Sequence, residues 1–202
     1  MPRIQASTVA EHVAQQEAMV FAAAVRLFTE RGYGNVNMGD IAGEVGLARS
    51  SLYRYFPDKA HILARWFRVE LPVQADRARA VLTGDGTPLE RIGSWVTDQL
   101  DYARQPEHEL IAAFGEIAPN LDEQTRAELA DSHRQMMAPL NDTLADAGFV
   151  DADDRAALVG LIGALVLAAA QREARIGADP VVRAHVMRAI EGLLDNRSVA
   201  SA

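Results

Sequence analysis

The sequence predicts an all-α protein, a three-helix N-terminal head followed by a C-terminal helical bundle. Three observations carry that prediction. Apolar residues recur at spacings of three and four along most of the 202 residues, and strand-like alternation never lasts beyond a few positions. Capping residues, glycines and prolines punctuate the chain in the order that helix boundaries require. The stretch from Asn37 to Lys59 has the pattern of two short helices around a tight turn.

Thr8 and Glu11 have the spacing of a capping box, so a first helix is expected to begin there. Val9, Val13, Val20, Ala24, Leu27 and Phe28 keep one stripe down to Arg31, and Gly32 supplies the stop. Arg3 is the only cation before Gln16, which disfavours a loose arm on a nucleic-acid backbone. After the Gly34-Asn35 loop, Asn37 with Asp40 three residues on caps a second helix. Met38, Ile41, Ala42 and Val45 are its inner face. Gly46 stands where a turn between two helices needs a positive φ, and Leu47 and Leu52 close back onto Ile41 and Val45. Pro57 ends the third helix, and Asp58 caps a fourth.

The outward face of the third helix carries chemistry. Arg49, Ser50, Ser51, Tyr53, Arg54 and Tyr55 place guanidinium, hydroxyl and phenol groups within two turns. Arginine pairs bidentately with guanine O6 and N7, and hydroxyls and phenols serve bases or phosphate oxygens. A solvated surface helix is the plain alternative. The exposed tyrosines and the apolar frame behind them favour contact with double-stranded DNA. Arg49, Ser50 and Ser51 are the candidates for base contact, with Tyr53, Tyr55 and Lys59 for phosphate. Asn37 is a secondary phosphate candidate, and Arg54 suits either role or a bond within the head. Lys59 is the only lysine in the chain and falls in the first turn of the fourth helix.

That fourth helix carries Ile62, Leu63, Trp66 and Phe67, and Pro72 is expected to kink or end it. Thr83-Gly84-Asp85-Gly86 is a break. Thr87-Pro88-Leu89-Glu90 then combines a capping box with proline at the first helical position. Ile92, Trp95, Val96, Gln99, Leu100 and Tyr102 lie on the helix that follows. Another helix is expected after Pro106, with Leu110, Ile111, Phe114 and Ile117, ending near Pro119-Asn120. Asp122 opens a longer one to Ala147, bearing Leu129, Met136, Met137, Leu140 and Leu144 and bent at Pro139.

Asp151 to Gly177 reads as a helix apolar on nearly every side, and Asp179-Pro180 starts a last one. A helix apolar all round must be covered all round. Pairing of these two helices with their symmetry mates in a four-helix bundle supplies that cover, a central core helix in a monomer being the alternative. Val159, Ile162, Val166, Val186, Ile190 and Leu193 are the expected interface residues.

Composition is that of an ordinary globular protein, 49% hydrophobic and 24% charged. Without cysteine there is no disulfide and no thiolate metal site. The first residues lack the apolar core of a signal peptide, and the longest apolar run, Ala156 to Ala170, is short of the ~20 residues that span a bilayer. No membrane association and a cytoplasmic location are expected. The net charge of −8 is unevenly spread. Residues 16–68 hold seven basic against five acidic side chains, and residues 69–202 hold twelve against twenty-two. A mildly basic head on an acidic body orients the molecule at DNA and limits indiscriminate binding.

Catalytic patterns are missing. The five histidines are scattered, and no Glu-x-x-His pair, G-x-S-x-G elbow, phosphate-binding glycine loop or H-E-x-x-H occurs. No enzyme activity, cofactor or metal is expected.

The run from Asp40 to Leu63, DIAGEVGLARSSLYRYFPDKAHIL, resembles the DNA-binding region of the tetracycline-repressor-like (TetR) regulators. Asp40, Ile41, Ala42, Gly46, Leu52, Tyr53, Arg54, Tyr55, Phe56 and Lys59 all match that family's pattern. Ala48 departs from it, where a serine often caps the recognition helix. Losing such a cap costs about 1 kcal/mol. The resemblance covers the first quarter to third of the chain. It implies a DNA-binding domain over residues 8–57 and an effector and dimerisation domain over 58–196, with 1–7 and 197–202 as loose tails. It further implies a homodimeric repressor, paired through its last two long helices and released from a near-palindromic operator by a small apolar or amphipathic effector. Trp66, Trp95, Gln99, Tyr102, Phe114, Met136, Met137 and Phe149 fall where the family forms its effector pocket, with Glu116, Asn120 or His133 to orient the ligand. The rival reading is a helical ligand- or partner-binding protein whose helix-turn-helix no longer binds DNA.

Overall fold

The computed structural model describes residues 3–195, except for the side chains of residues 3–10, 107, 109, 112 and 116. Among the described residues the chain is all helix and turn, with no strand. The helices are α1 (Arg3–Arg31), α2 (Met38–Glu44), α3 (Arg49–Leu52), α4 (Lys59–Leu82), α5 (Pro88–Tyr102), α6 (Glu109–Ala112), α7 (Phe114–Ile117), α8 (Glu123–Asp146), α9 (Ala152–Ile176) and α10 (Pro180–Asp195). They fall into two compact units. One comprises the chain up to Phe67 with 109–126, the other 68–108 with 127 onward.

Most helix starts are where side-chain acceptors place them. Asn37 accepts from the amides of Gly39 and Asp40, and the Asp40 carboxylate accepts from Asn37 N–H in return. Thr87 and Glu90 form the same reciprocal box ahead of Pro88. Asp58, Asp122, Asp151 and Asp179 each accept from an amide two or three residues on. Those bonds, chiefly from the Thr125 backbone and hydroxyl, hold the Asp122 carboxyl down at about 2.

Four sequence expectations are corrected. The first helix starts at Arg3, ahead of Thr8, whose side chain lies outside the described set. Pro72 neither ends nor divides α4, which runs on to Leu82. The carbonyl that Pro72 leaves without its helical donor belongs to Arg68, and both residues lie on the exposed side of the helix. The helix expected after Pro106 is instead two single turns, α6 and α7, flanked by 3₁₀ turns at Pro106–His108 and Ala118–Asn120. Gly115 is a poor helix former and Pro119 has no N–H to continue one. The third helix is a single turn, considered below.

In the second unit, α5, α9 and α10 pack together around Ile92, Trp95, Val96, Leu100, Ile162, Val166, Ala169, Val186, Ile190 and Leu194. Their ends are tied by one ion network. Glu173 on α9, 0% exposed, accepts from Arg183 through both oxygens, at 2.9 and 2.6 Å, and from the Asp179 amide. Arg183 also reaches Asp101 on α5 at 2.9 Å. The hydrogen bonds from Arg183 lower the Glu173 carboxyl below its usual range, against the opposing effect of burial. A carboxyl lowered by folding contributes stability above its unfolded pKa and loses it as pH falls through the folded one.

Glu173→Ala should therefore cost about 2–4 kcal/mol at pH 7, because it removes two of the three hydrogen bonds that Arg183 makes to carboxylates and leaves Asp101 as its remaining partner. Denaturant unfolding measures this. The gap between native protein and Glu173→Gln should narrow as pH drops below the usual glutamate range of about 4. A gap that does not change with pH would remove the ion pair from the stability of the body.

Candidate nucleic-acid interface

The interface starts from a turn that glycine makes possible. Gly46 has φ +68°, a left-handed conformation that costs any residue with a Cβ. It lets the Leu47 amide reach back to the Ala42 carbonyl at 2.9 Å and the Gly46 amide to Gly43 at 3.3 Å. This pair of bonds is a Schellman closure, and it satisfies the end of α2 while redirecting the chain. The reading of Gly46 from sequence holds.

α3 is one α-helical turn, Arg49–Leu52, followed by a looser turn through Tyr55. Ala48 offers no side-chain cap, and the Arg54 and Tyr55 amides bond to the carbonyls three residues back. Pro57 lies just beyond, so the expected two-turn helix does not regularise. Leu52 and Phe56, four residues apart, are both buried. Arg49, Ser50, Tyr53 and Arg54 are consequently exposed, while Ser51 and Tyr55 are half-buried. Tyr53 is 44% exposed, unusual for so large a ring, and its hydroxyl accepts from Arg49 Nε at 3.3 Å. Four of the six expected contact residues on this segment are thus open to solvent.

Lys59 is placed differently from the expectation. Its ammonium donates to the carbonyls of Tyr33 (2.9 Å) and Val36 (3.0 Å) and lies 4.2 Å from the centre of the Tyr33 ring. Only one of its three N–H donors is left for a phosphate. The carbonyl of Asn37's side chain is spent on its cap, which leaves its amide N–H₂ to face outward.

Two contributors were not read from sequence. Arg65 on α4 pairs with Glu17 on α1 and lies between the rings of Phe21 and Phe56, at 4.9 and 5.7 Å. Tyr33 stacks edge-on against Phe28 at 5.1 Å and supplies one of the carbonyls that hold Lys59. Both sit outside the Asn37–Lys59 pattern, and nothing in helical periodicity marks them.

The expected effector residues divide between the two units. In the first, Phe67 meets Trp66 and Phe114 edge-on, at 5.1 and 5.2 Å. The Glu116 side chain lies outside the described set, and Asn120 is exposed. In the second unit, Trp95 and Phe149 are buried in the core, with Met137 packed against it. Gln99 and Met136 are half-buried, and His133 is exposed. Tyr102 donates to Glu70 at 2.8 Å and lines a cavity of about 390 Å³ with Glu70, Arg77, Asp101 and Gln105. Tyr102 is the one residue of the expected effector set on this cavity, and the other four lining residues are polar or charged. The described residues hold no cluster able to bind a metal ion and no helix long and apolar enough to cross a membrane.

Of the six expected interface residues, Ile162, Val166, Val186 and Ile190 are buried in the chain's own core, and Val159 and Leu193 are half-buried against it. The uncovered apolar strip of α9 is instead Ala157, Gly160, Leu161, Ala164, Leu167 and Ala168. Leu161 is 51% exposed and Leu167 43%.

Comparison with known proteins agrees with this architecture. Residues 20–65 match the family model described as "Bacterial regulatory proteins, tetR family". The HTH-type transcriptional repressor KstR of Mycolicibacterium smegmatis is 32% identical over 92 residues, 45% of this chain and 44% of that protein, so the match spans under half of the relative. A TetR-family regulator from Bordetella parapertussis superimposes with a TM-score of 0.64 at 22% identity, covering 89% of this chain and 94% of that one. AibR, solved with isovaleryl coenzyme A and operator DNA, gives 0.63 at 15% identity over 88% and 97%. Residues 20–65 therefore resemble the TetR DNA-binding region, and the likeness to solved structures shows a TetR-like fold with an N-terminal helix-turn-helix and a C-terminal helical domain.

Proposed function

We propose that this protein is a cytoplasmic, homodimeric repressor that binds a near-palindromic operator and leaves it when a small molecule occupies the body. The observation that carries the reading is the open surface of Arg49, Ser50, Tyr53 and Arg54, held out from a segment whose Leu52 and Phe56 are buried. Arg49 and Ser50 read base edges, with Ser51 beside them; Tyr53, Tyr55 and the amide of Asn37 position the backbone. Arg54 serves either. Lys59 gives at most one bond to phosphate and chiefly braces the turn before α2.

The dimer is built on the α9 strip. Gly160 and Ala164 let a second helix approach closely, and Leu161 and Leu167 supply apolar area that the monomer leaves in water. Two heads then meet successive major grooves about 34–36 Å apart or slightly more. The ligand binds better to the arrangement in which the heads are misplaced, and that difference in affinity drives release. The AibR complex, which holds both a small molecule and operator DNA, supports a body and head that work together in this fold.

Arg49→Ala should weaken the preferred operator by about 1–3 kcal/mol and relax one base position, read by gel shift on a selected site and its single-base variants. An unchanged preference removes Arg49 from the readers. Leu161→Asp with Leu167→Asp should give a monomer in sedimentation and lose operator affinity together. If the native protein sediments as a monomer at micromolar concentration, the palindrome falls with the dimer. A folded dimer that selects no sequence at low salt would favour the rival, a helical binding protein without DNA recognition.

A further inference from the structure

The cavity beside Tyr102 has a charge pattern that specifies its occupant. Three charged side chains line it: Glu70, Arg77 and Asp101. Arg77 pairs with Asp98 at 2.7 Å. Asp101 is neutralised by Arg104 at 2.8 Å and Arg183 at 2.9 Å. Glu70 has no cation partner among the described residues. Its Oε1 accepts from Tyr102 Oη at 2.8 Å and from Gln74 Nε2 at 2.6 Å, and Oε2 has no hydrogen bond among the described residues. Gln74 is only 4% exposed, so the carboxylate is held by a fixed buried amide, and the Oε1 of that amide is itself without a donor.

We propose that Glu70 is the recognition group for a protonated amine, and that the effector of this regulator is an amphipathic ammonium compound. The identification of the cavity as the effector site rests on the ligand-responsive reading above. The rest follows from the walls. An anion would approach the one uncompensated carboxylate and would have to take Arg77 from Asp98. A wholly apolar ligand would strip water from Glu70 and return nothing, a cost that buried polar groups do not absorb. An ammonium donates a charge-assisted bond to Oε2, on a carboxylate already oriented by Tyr102 and Gln74, so little ordering is lost on binding. A cavity of about 390 Å³ suits a molecule with one ring or a short chain behind the amine.

The probe is phenethylamine, compared with 2-phenylethanol and 3-phenylpropionate, titrated into the full-length protein at pH 7 and read by calorimetry or ligand-detected NMR. The amine should bind at least tenfold more tightly than the alcohol, with the carboxylate weakest. Glu70→Gln should bring the amine to the level of the alcohol without lowering the melting temperature, and Tyr102→Phe should fall between. Equal binding of amine and alcohol, or a preference that survives in Glu70→Gln, overturns the proposal. Should Glu70→Gln melt early, the ratio among the three probes on native protein still decides. A gel shift with saturating amine separates the two readings. Release of the operator supports the cavity as effector site, whereas amine binding without release refutes that role. Failure to bind DNA in the absence of amine refutes the repressor reading and leaves the Glu70 site to the titration.

Discussion

The open face around α3 depends on one hydrogen-bonded turn. The Leu47 amide closes onto Ala42 only because Gly46 accepts a left-handed backbone at little cost. That closure sets the direction in which the next few residues leave α2, and with it which side of them faces in. Leu52 and Phe56 then go under, worth about 1.5–3 kcal/mol each in apolar burial. Arg49, Ser50, Tyr53 and Arg54 are left outside as the geometric remainder. A segment with one α-helical turn has almost no stability of its own, so its shape is borrowed from the elements on which it rests.

The head spends its cations accordingly. Lys59 is held by two carbonyls and an aromatic ring, and Arg65 by Glu17 and two phenylalanines. Arg26 pairs with Glu30 and Glu44, tying α1 to α2. Among the described residues, Arg31 at the end of α1 and Arg49 and Arg54 on the α3 turn are exposed and in no ion pair. A surface of that kind gains little from sequence-independent counterion release and depends on what its few side chains meet.

In the body the same economy takes the opposite sign. Most of its excess carboxylates face water or a guanidinium. Glu173 is the buried exception, and it is made tolerable by a bidentate arginine and a backbone amide. Glu70 is partly buried with hydrogen bonds but no countercharge among the described residues, which sets it apart from Arg77 and Asp101 on the same cavity wall.

The amino-acid sequence alone determined what local physics controls. Asn37, Asp58, Thr87, Asp122, Asp151 and Asp179 mark helix starts because a cap needs only a short side chain and the next three amides. Gly46 marks the turn because φ restricts it. Met38, Ile41, Ala42 and Leu52 fall inside because periodicity is a local property. The tertiary structure decided everything that depends on which surfaces meet. It turned Lys59 inward onto carbonyls from a loop more than twenty residues away, and it carried α4 through Pro72, which lies on an exposed side of the helix. Likewise it buried Ile162, Val166, Val186 and Ile190 within the chain's own core and left Leu161 and Leu167 uncovered, although all six share the apolar composition of α9 and α10. Periodicity says that a helix has an apolar side. Which part of a helix apolar on every side turns inward is set by its neighbours, and one-dimensional spacing does not name them.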